Sequence, residues 1–199
     1  MRKLLVIVDM QNDFITGALG TKEAREILPN VIELAKNFNG DIILTRDTHH
    51  DNYMDTQEGK KLPVLHCVKD TDGWQIAPEL IKALNLADSH GILVHSTLYD
   101  AYLPTVTDTN QKFIVKEIID KPTFGSIGLA RYLEEHPDYE EITFCGVCTG
   151  ICVISNAMIA KAIVPETPIK VVANACACVS PESHEAALNS MRTCQIDII

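Results

Sequence analysis

The chain has 199 residues, 46% of them hydrophobic and 22% charged, which suits one globular domain over residues 1–199 with a sizeable core. Its formal net charge of −10 repels phosphate backbones and argues against nucleic acid as a partner. No stretch is long enough to span a bilayer, and the apolar run after Met1-Arg2-Lys3 breaks at Asp9, too soon for a secretory signal, so the seven cysteines are expected as free thiols in a reducing cytoplasm.

Residues 3–8 form a continuous apolar run closing on Asp9, the pattern of a strand buried on both faces. Residues 24–38 follow as a helix, with Ile27, Leu28, Val31, Leu34 and Ala35 at helical spacing and Asn39-Gly40 ending it. A second buried strand, 41–46, closes on Asp47. Residues 51–72 are polar and irregular and read as a long loop, and 77–85 as a short helix with Pro78 near its start. Residues 91–94 read as a strand or extended segment, and a helix is expected near the start of 99–111. Beyond them come a strand at 112–119, a helix at 126–135, a strand at 141–146 and a helix at 149–161. A strand at 169–173, a helix at 181–192 and a final strand at 195–199 complete the chain. Alternating strands and helices predict an α/β fold: a three-layer α/β/α sandwich around a mostly parallel, roughly six-stranded sheet. In such sheets ligands bind beyond the carboxyl ends of the strands. Asp9, Asp47 and the 145–152 segment all lie just past predicted strand ends.

Cys152 sits in Gly146-Val147-Cys148-Thr149-Gly150-Ile151-Cys152, a strand-to-helix turn. The positive end of the helix dipole there lowers a thiol pKa and favours a nucleophilic thiolate; the bland alternative is a buried structural cysteine. Cys145 and Cys148 compete for the role, and the Cys145-x2-Cys148 spacing also admits a metal or redox pair. Asp9 follows five apolar residues, where a carboxylate is costly unless paired, so it is read as a general base near the thiol or as a turn residue. Asp47 and His49 are two apart at a strand end and face the same way, and His66 follows in Pro63-Val64-Leu65-His66. Asp, His and His suit one divalent metal, zinc first and iron or manganese as alternatives. Lys116 and Lys121 flank another strand end, and a lysine beside a thiol and a carboxylate would hold both ionised. Phe14 and Trp74 are aromatics that either stack on a flat substrate or pack in the core.

Together these segments resemble the isochorismatase-like cysteine hydrolase superfamily, in its nicotinamidase-like branch. The carriers are Val8-Asp9-Met10-Gln11-Asn12-Asp13-Phe14, Arg46-Asp47-Thr48-His49, Pro63-Val64-Leu65-His66-Cys67-Val68, Gly146-Val147-x-Thr149-x-Ile151-Cys152-Val153 and the stretch 173–188. The resemblance spans nearly the whole chain. It selects Cys152 as nucleophile and Asp9 as its base, and prefers Lys121, ahead of Pro122-Thr123-Phe124, to Lys116. It implies a metal on Asp47, His49 and His66, and a cis peptide between Val147 and Cys148; Glu58, in the intervening loop, is left open as a further ligand. Backbone N–H groups of Cys148 and Cys152 would then form the oxyanion hole. The implied activity is hydrolysis of a small amide, nicotinamide first, in a homo-oligomer. A changed loop over 51–74 keeps a carbamoyl compound, a ureide or a non-pyridine amide as rival substrates. The seven cysteines keep a noncatalytic metal- or thiol-sensing protein as a rival of another class.

Overall fold

The computed structural model describes residues 2–86 and 112–199. The segments expected at 91–94 and 99–111 lie outside those residues. Among the described residues six parallel strands form one sheet: β1 (Lys3–Val8), β2 (Gly40–Asp47), β3 (Phe113–Lys121), β4 (Glu141–Val147), β5 (Ile169–Ala177) and β6 (Asp197–Ile198), in the order β3-β2-β1-β4-β5-β6. β1 is central, and Leu4 to Val8 have no exposed surface, which explains the unbroken apolar run.

The helices are α1 (Asn12–Ile15), α2 (Lys22–Asn37), α3 (Gln57–Lys61), α4 (Pro78–Ala83), α5 (Ile127–Glu135), α6 (Ile154–Ile163) and α7 (Pro181–Thr193). α2 packs against α4 and lies across β4 and β5. It buries Ala24, Ile27, Val31 and Ala35, the apolar stripe of the sequence. It begins two residues before the stripe because the Thr21 hydroxyl accepts from the Ala24 N–H at 3.0 Å. α5, α6 and α7 form a second group, with α5 against β3 and α6 against β5. The α/β sandwich with a parallel six-stranded sheet is therefore the fold. No helix among the described residues is long and apolar enough to cross a membrane.

Three departures from the predicted elements bear on the site. Residues 51–72 are not a plain loop, because Tyr53–Asp55 form a 3-10 turn and Thr56 caps α3 through the Gly59 N–H at 3.0 Å. β3 runs two residues past its predicted end, to Lys121. The stretch expected as one helix from Thr149 begins with a π-helical turn, Thr149–Val153, before α6.

Candidate functional site

Parallel pairing carries every strand's carboxyl end to one edge, and the chemistry gathers there. Asp9 follows β1 with φ of +50°, a left-handed conformation uncommon for a residue with a side chain. Its side chain is fully buried and doubly held. Oδ1 accepts from the Thr45 hydroxyl at 2.7 Å, and Oδ2 lies 2.7 Å from Lys121 Nζ.

Lys121 arrives there because of strand register. Asp47 pairs with Lys121 and Arg46 with Asp120, so the two pairs point to opposite faces of the sheet. A bulge sets that parity: Ile42 opposes Val115 and Ile43 opposes Glu117, which leaves Lys116 as the extra residue. Lys116 lies near the other end of β2, its ammonium 3.9 Å from Asp41. Lys121 Nζ reaches Asp47 Oδ1 at 3.4 Å and Cys152 Sγ at 3.6 Å, and donates to the Thr123 carbonyl at 3.1 Å. Burial alone would lower its pKa, but the negative charge of Asp9, with that of Asp47, wins and raises it, so Lys121 is held as a cation.

Cys152 is brought in by the turn after β4. Gly146 has φ of +114°, and a Cβ there would stand 2.1 Å from the Val8 carbonyl oxygen, so only glycine lets the end of β4 lie this close to β1. The Val147–Cys148 peptide bond is cis. Asn156, one turn beyond Cys152, donates to the Cys152 carbonyl at 2.8 Å and to the Phe124 carbonyl at 3.0 Å, and accepts from the Ser126 N–H at 2.9 Å. It straps the thiol's turn to the segment after Lys121. The pKa expectation is corrected. Cys152 is only 5% exposed, and burial followed by the negative charge of Asp9 pushes its thiol well above the ordinary value, against the opposing pull of Lys121. The helix terminus does not outweigh desolvation. Burial, and then Asp47, raise Asp9 too, with Lys121 opposing.

A second cluster adjoins the first through Asp47. His49 and Val68 form a parallel bridge, in which the His49 N–H donates to the Cys67 carbonyl at 2.9 Å and the Lys69 N–H to the His49 carbonyl at 2.8 Å. Asp13 adds a hold on the returning loop, its Oδ2 accepting from the Cys67 N–H at 2.7 Å. His66 is thereby placed beside His49. Single atoms of Asp47, His49, Glu58 and His66 all lie within 4.8 Å of one another. His66 Nε2 is 3.6 Å from Asp47 Oδ2 and 3.9 Å from Glu58 Oε1, and His49 Nε2 is 3.8 Å from the same Glu58 oxygen.

Four observations fit a divalent cation at their shared point. Ligands about 2.0–2.2 Å from an ion stand about 3–3.5 Å apart, close to these separations. His66 Nδ1 lies 2.8 Å from the Val64 carbonyl, an arrangement that turns the Nε2 lone pair toward the cluster. His49 Nε2 is buried and makes no hydrogen bond although Asp47 Oδ2 is 2.9 Å away. Glu58 is pushed up by burial and then by Asp47, a repulsion a cation would relieve. None of the seven cysteines, all free thiols, belongs to this cluster.

Phe14 is half-buried with its ring 5.6 Å from that of His66, so it borders the Asp47–His49–Glu58–His66 cluster. Of the two readings of Trp74, stacking on a substrate and packing in the core, the structure fits the second. Its ring is 1% exposed, the Arg46 guanidinium lies over it at 3.4 Å, and its Nε1 donates to Thr48 at 2.8 Å. Arg46 in turn forks onto Asp120 at 2.7 and 3.0 Å. Trp74 is packing beneath the site, because the other face of the β2–β3 pair needs an aromatic cover for a buried guanidinium.

Gln11 was not singled out from the sequence, though a polar residue between apolar Met10 and a helix start was a signal. It is fully buried. Its Nε2 donates to the carbonyls of Asp47 and Trp74 at 2.8 and 2.9 Å, and its Oε1 accepts from the Asp47 N–H at 2.7 Å. Gln11→Leu orphans those backbone groups, and the expected cost is about 2 kcal/mol, or a melting temperature lower by roughly 4–8 °C. Thermal unfolding checks it, and an unchanged midpoint would refute the tie.

The family model for the isochorismatase domain matches residues 3–199. A nicotinamidase of Saccharomyces cerevisiae is 27% identical over 191 residues, covering 78% of this chain and 80% of that protein. A pyrazinamidase of Pyrococcus horikoshii, solved in complex with zinc, matches with a TM-score of 0.70 at 26% identity over 100% of this chain and 99% of the other. N-carbamoylsarcosine amidase of Thermoplasma acidophilum shares the fold, with a TM-score of 0.65 at 21% identity over 100% and 95% of the two chains. With its sheet order, its carboxyl-edge clusters and a family match over almost its whole length, the chain belongs to the isochorismatase family.

Proposed function

We propose that this chain hydrolyses a small carboxamide through a thioester on Cys152, with nicotinamide, giving nicotinate and ammonia, as the foremost substrate. The family and its amidase relatives support an enzyme acting on a linear amide C–N bond. The observation that carries the roles is the approach of Lys121 Nζ to both Asp9 Oδ2, at 2.7 Å, and Cys152 Sγ, at 3.6 Å.

The resting thiol is neutral, so the proton leaves Cys152 as attack begins rather than beforehand. Asp9, raised by burial, is a suitable acceptor for it. Sγ bonds to the carboxamide carbon while Lys121 offsets the negative charge shared between thiol and carboxyl. Backbone N–H groups of Cys148 and Cys152 receive the developing oxyanion. Asp9 returns its proton to the departing nitrogen, and ammonia leaves. Water then attacks the thioester as Asp9 accepts its proton, the C–S bond breaks, the acid product leaves, and Asp9 returns the proton to the Cys152 sulfur. A divalent ion on Asp47, His49, His66 and Glu58 would supply a Lewis-acid anchor for a ring nitrogen of the substrate. Phe14 would lie against the ring face.

The decisive experiment is ammonia release by purified protein from nicotinamide, pyrazinamide, benzamide and an N-carbamoyl amino acid. Turnover of the two ring-nitrogen amides above benzamide is expected. Ammonia from the carbamoyl compound alone would move the substrate, and ammonia from no amide would overturn the enzyme reading in favour of a sensor.

The metal ligands have their own readout. His49→Ala is expected to reduce bound divalent metal from about one ion per chain toward none, and to weaken nicotinamide turnover by roughly a hundredfold or more. Cys152 should remain open to alkylation, because its partners Asp9 and Lys121 do not include His49. Elemental analysis and intact mass after iodoacetamide measure both, and full metal content in the variant would remove His49 from the ligand set.

A further inference from the structure

The side chains of two cysteines beside the site, Cys148 and Cys178, take no part in the chemistry given to Cys152. β4 and β5 pair with Gly146 opposite Cys176 and Val147 opposite Ala177, so Cys148 and Cys178 come side by side one residue further on. Neighbouring strands run about 4.8 Å apart, inside the window of about 4.4–6.8 Å between α-carbons that a disulfide needs. The thiols face each other, with Cys148 Sγ donating to Cys178 Sγ across 3.2 Å.

They are not equivalent. Burial opposes ionisation of Cys178, but the Ser183 hydroxyl, the Cys148 thiol and contacts with the backbone at Gly150 and Val179 outweigh it and bring Cys178 below the ordinary cysteine value. Ser183 belongs to the capping box of α7, so the positive end of a 13-residue helix adjoins this sulfur. Cys148 is the proton donor of the pair, and burial together with Cys178 pushes it up to about 12. Cys145 and Cys176 differ in that burial pushes both thiols up. Cys178 is itself 4% exposed, and its neighbour Cys148, half-buried, gives the pair its path to solvent.

We propose that Cys148 and Cys178 form a peroxide-reactive dithiol in which Cys178 is oxidised and Cys148 resolves it to an intramolecular disulfide. The Cys178 thiolate attacks one oxygen of hydrogen peroxide, the O–O bond breaks, and a sulfenic acid and hydroxide form. The Cys148 sulfur then attacks the Cys178 sulfur, the S–O bond breaks, and the hydroxyl leaves as water with the Cys148 proton. In sum two thiols and one peroxide give one disulfide and two waters, each sulfur losing one electron and the peroxide gaining two. The Cys148 carbonyl accepts from the N–H groups of Ile151 and Val153, at 3.0 and 3.1 Å, so drawing Cys148 toward β5 shifts the turn that carries Cys152. Oxidation thus lowers turnover reversibly; this effect rests on the amide-hydrolase reading, whereas the disulfide itself does not.

The test treats the full chain with a modest excess of hydrogen peroxide, blocks remaining thiols with N-ethylmaleimide and maps peptides by mass spectrometry without reduction. A Cys148–Cys178 cross-link, lighter by two hydrogens than the reduced peptides and reversed by dithiothreitol, is expected before Cys152 is consumed. Cys178→Ser should keep basal turnover, give no such cross-link, and lose the fraction of peroxide inhibition that dithiothreitol restores. Maleimide on both Cys148 and Cys178 after peroxide, or oxidation of Cys152 ahead of them, would overturn the dithiol. A formed disulfide with unchanged turnover of a working substrate would overturn its coupling to Cys152. If no amide is turned over, the peptide map still decides the dithiol.

Discussion

Cys152→Ala is expected to lower amide turnover by roughly ten-thousandfold or more, the scale seen when a covalent nucleophile is removed. The loss should be chemical and not structural. Cys152 Sγ is one small buried atom, and its removal costs on the order of 1 kcal/mol. The larger energies around it remain in place: Lys121 still meets Asp9 at 2.7 Å, and Asn156 still holds the Cys152 carbonyl at 2.8 Å, a contact made by backbone. Melting temperature and metal content should therefore stay close to those of the parent. Cys145→Ala is the control. Cys145 is fully buried within β4, pairs with Ile7 in register, and is kept neutral by burial, so its truncation should cost stability and spare turnover. Steady-state ammonia release and thermal unfolding on the two variants check the contrast. Near-parental turnover in Cys152→Ala would end the thioester mechanism.

The strands were legible because burial on both faces leaves unbroken apolar runs, as in Leu4 to Val8. The order of those strands was not, since an apolar run carries no record of its neighbour. What could be read was that Asp9, Asp47 and the turn before Cys152 end strands, and parallel pairing then places them on one edge. The position of Cys152 in the first turn after a strand was visible; its environment was not. Whether a helix terminus or desolvation controls that thiol depends on its 5% exposure and on Asp9 arriving from the neighbouring strand. The stretch over 51–72 looked structureless because its helical turns, Tyr53–Asp55 and Gln57–Lys61, are too short to display a period. Those turns carry Glu58 to the two histidines. Trp74 stayed open between two readings for a related reason: its cover, Arg46, is far away in sequence and comes to it only through the loop's return.

The choice between two lysines was the least legible feature, and it yields the last large effect. Counting along β3 without its bulge would put Lys121 on the opposite face of the sheet. The extra residue at Lys116 restores the parity that sets Lys121 beside Asp47. Lys121→Met should therefore both inactivate and destabilise. It strips the shared cation from Asp9 and Asp47, which are at most 3% exposed, and breaking a buried pair in this way costs about 3–5 kcal/mol, or roughly 6–20 °C in melting temperature. Turnover should fall roughly a thousandfold, because nothing then offsets the charge passed from Cys152 to Asp9. Lys116→Met removes an ammonium that is 34% exposed and 3.9 Å from Asp41, and should change stability by less than about 0.5 kcal/mol and leave turnover intact. The double variant Lys121→Met with Asp9→Asn separates folding from chemistry. It removes the stranded charge on Asp9 along with the lysine, so part of the lost melting temperature should return while turnover stays absent. A Lys116→Met variant less active than Lys121→Met, or a double variant no more stable than Lys121→Met alone, would overturn the pairing on which the mechanism rests.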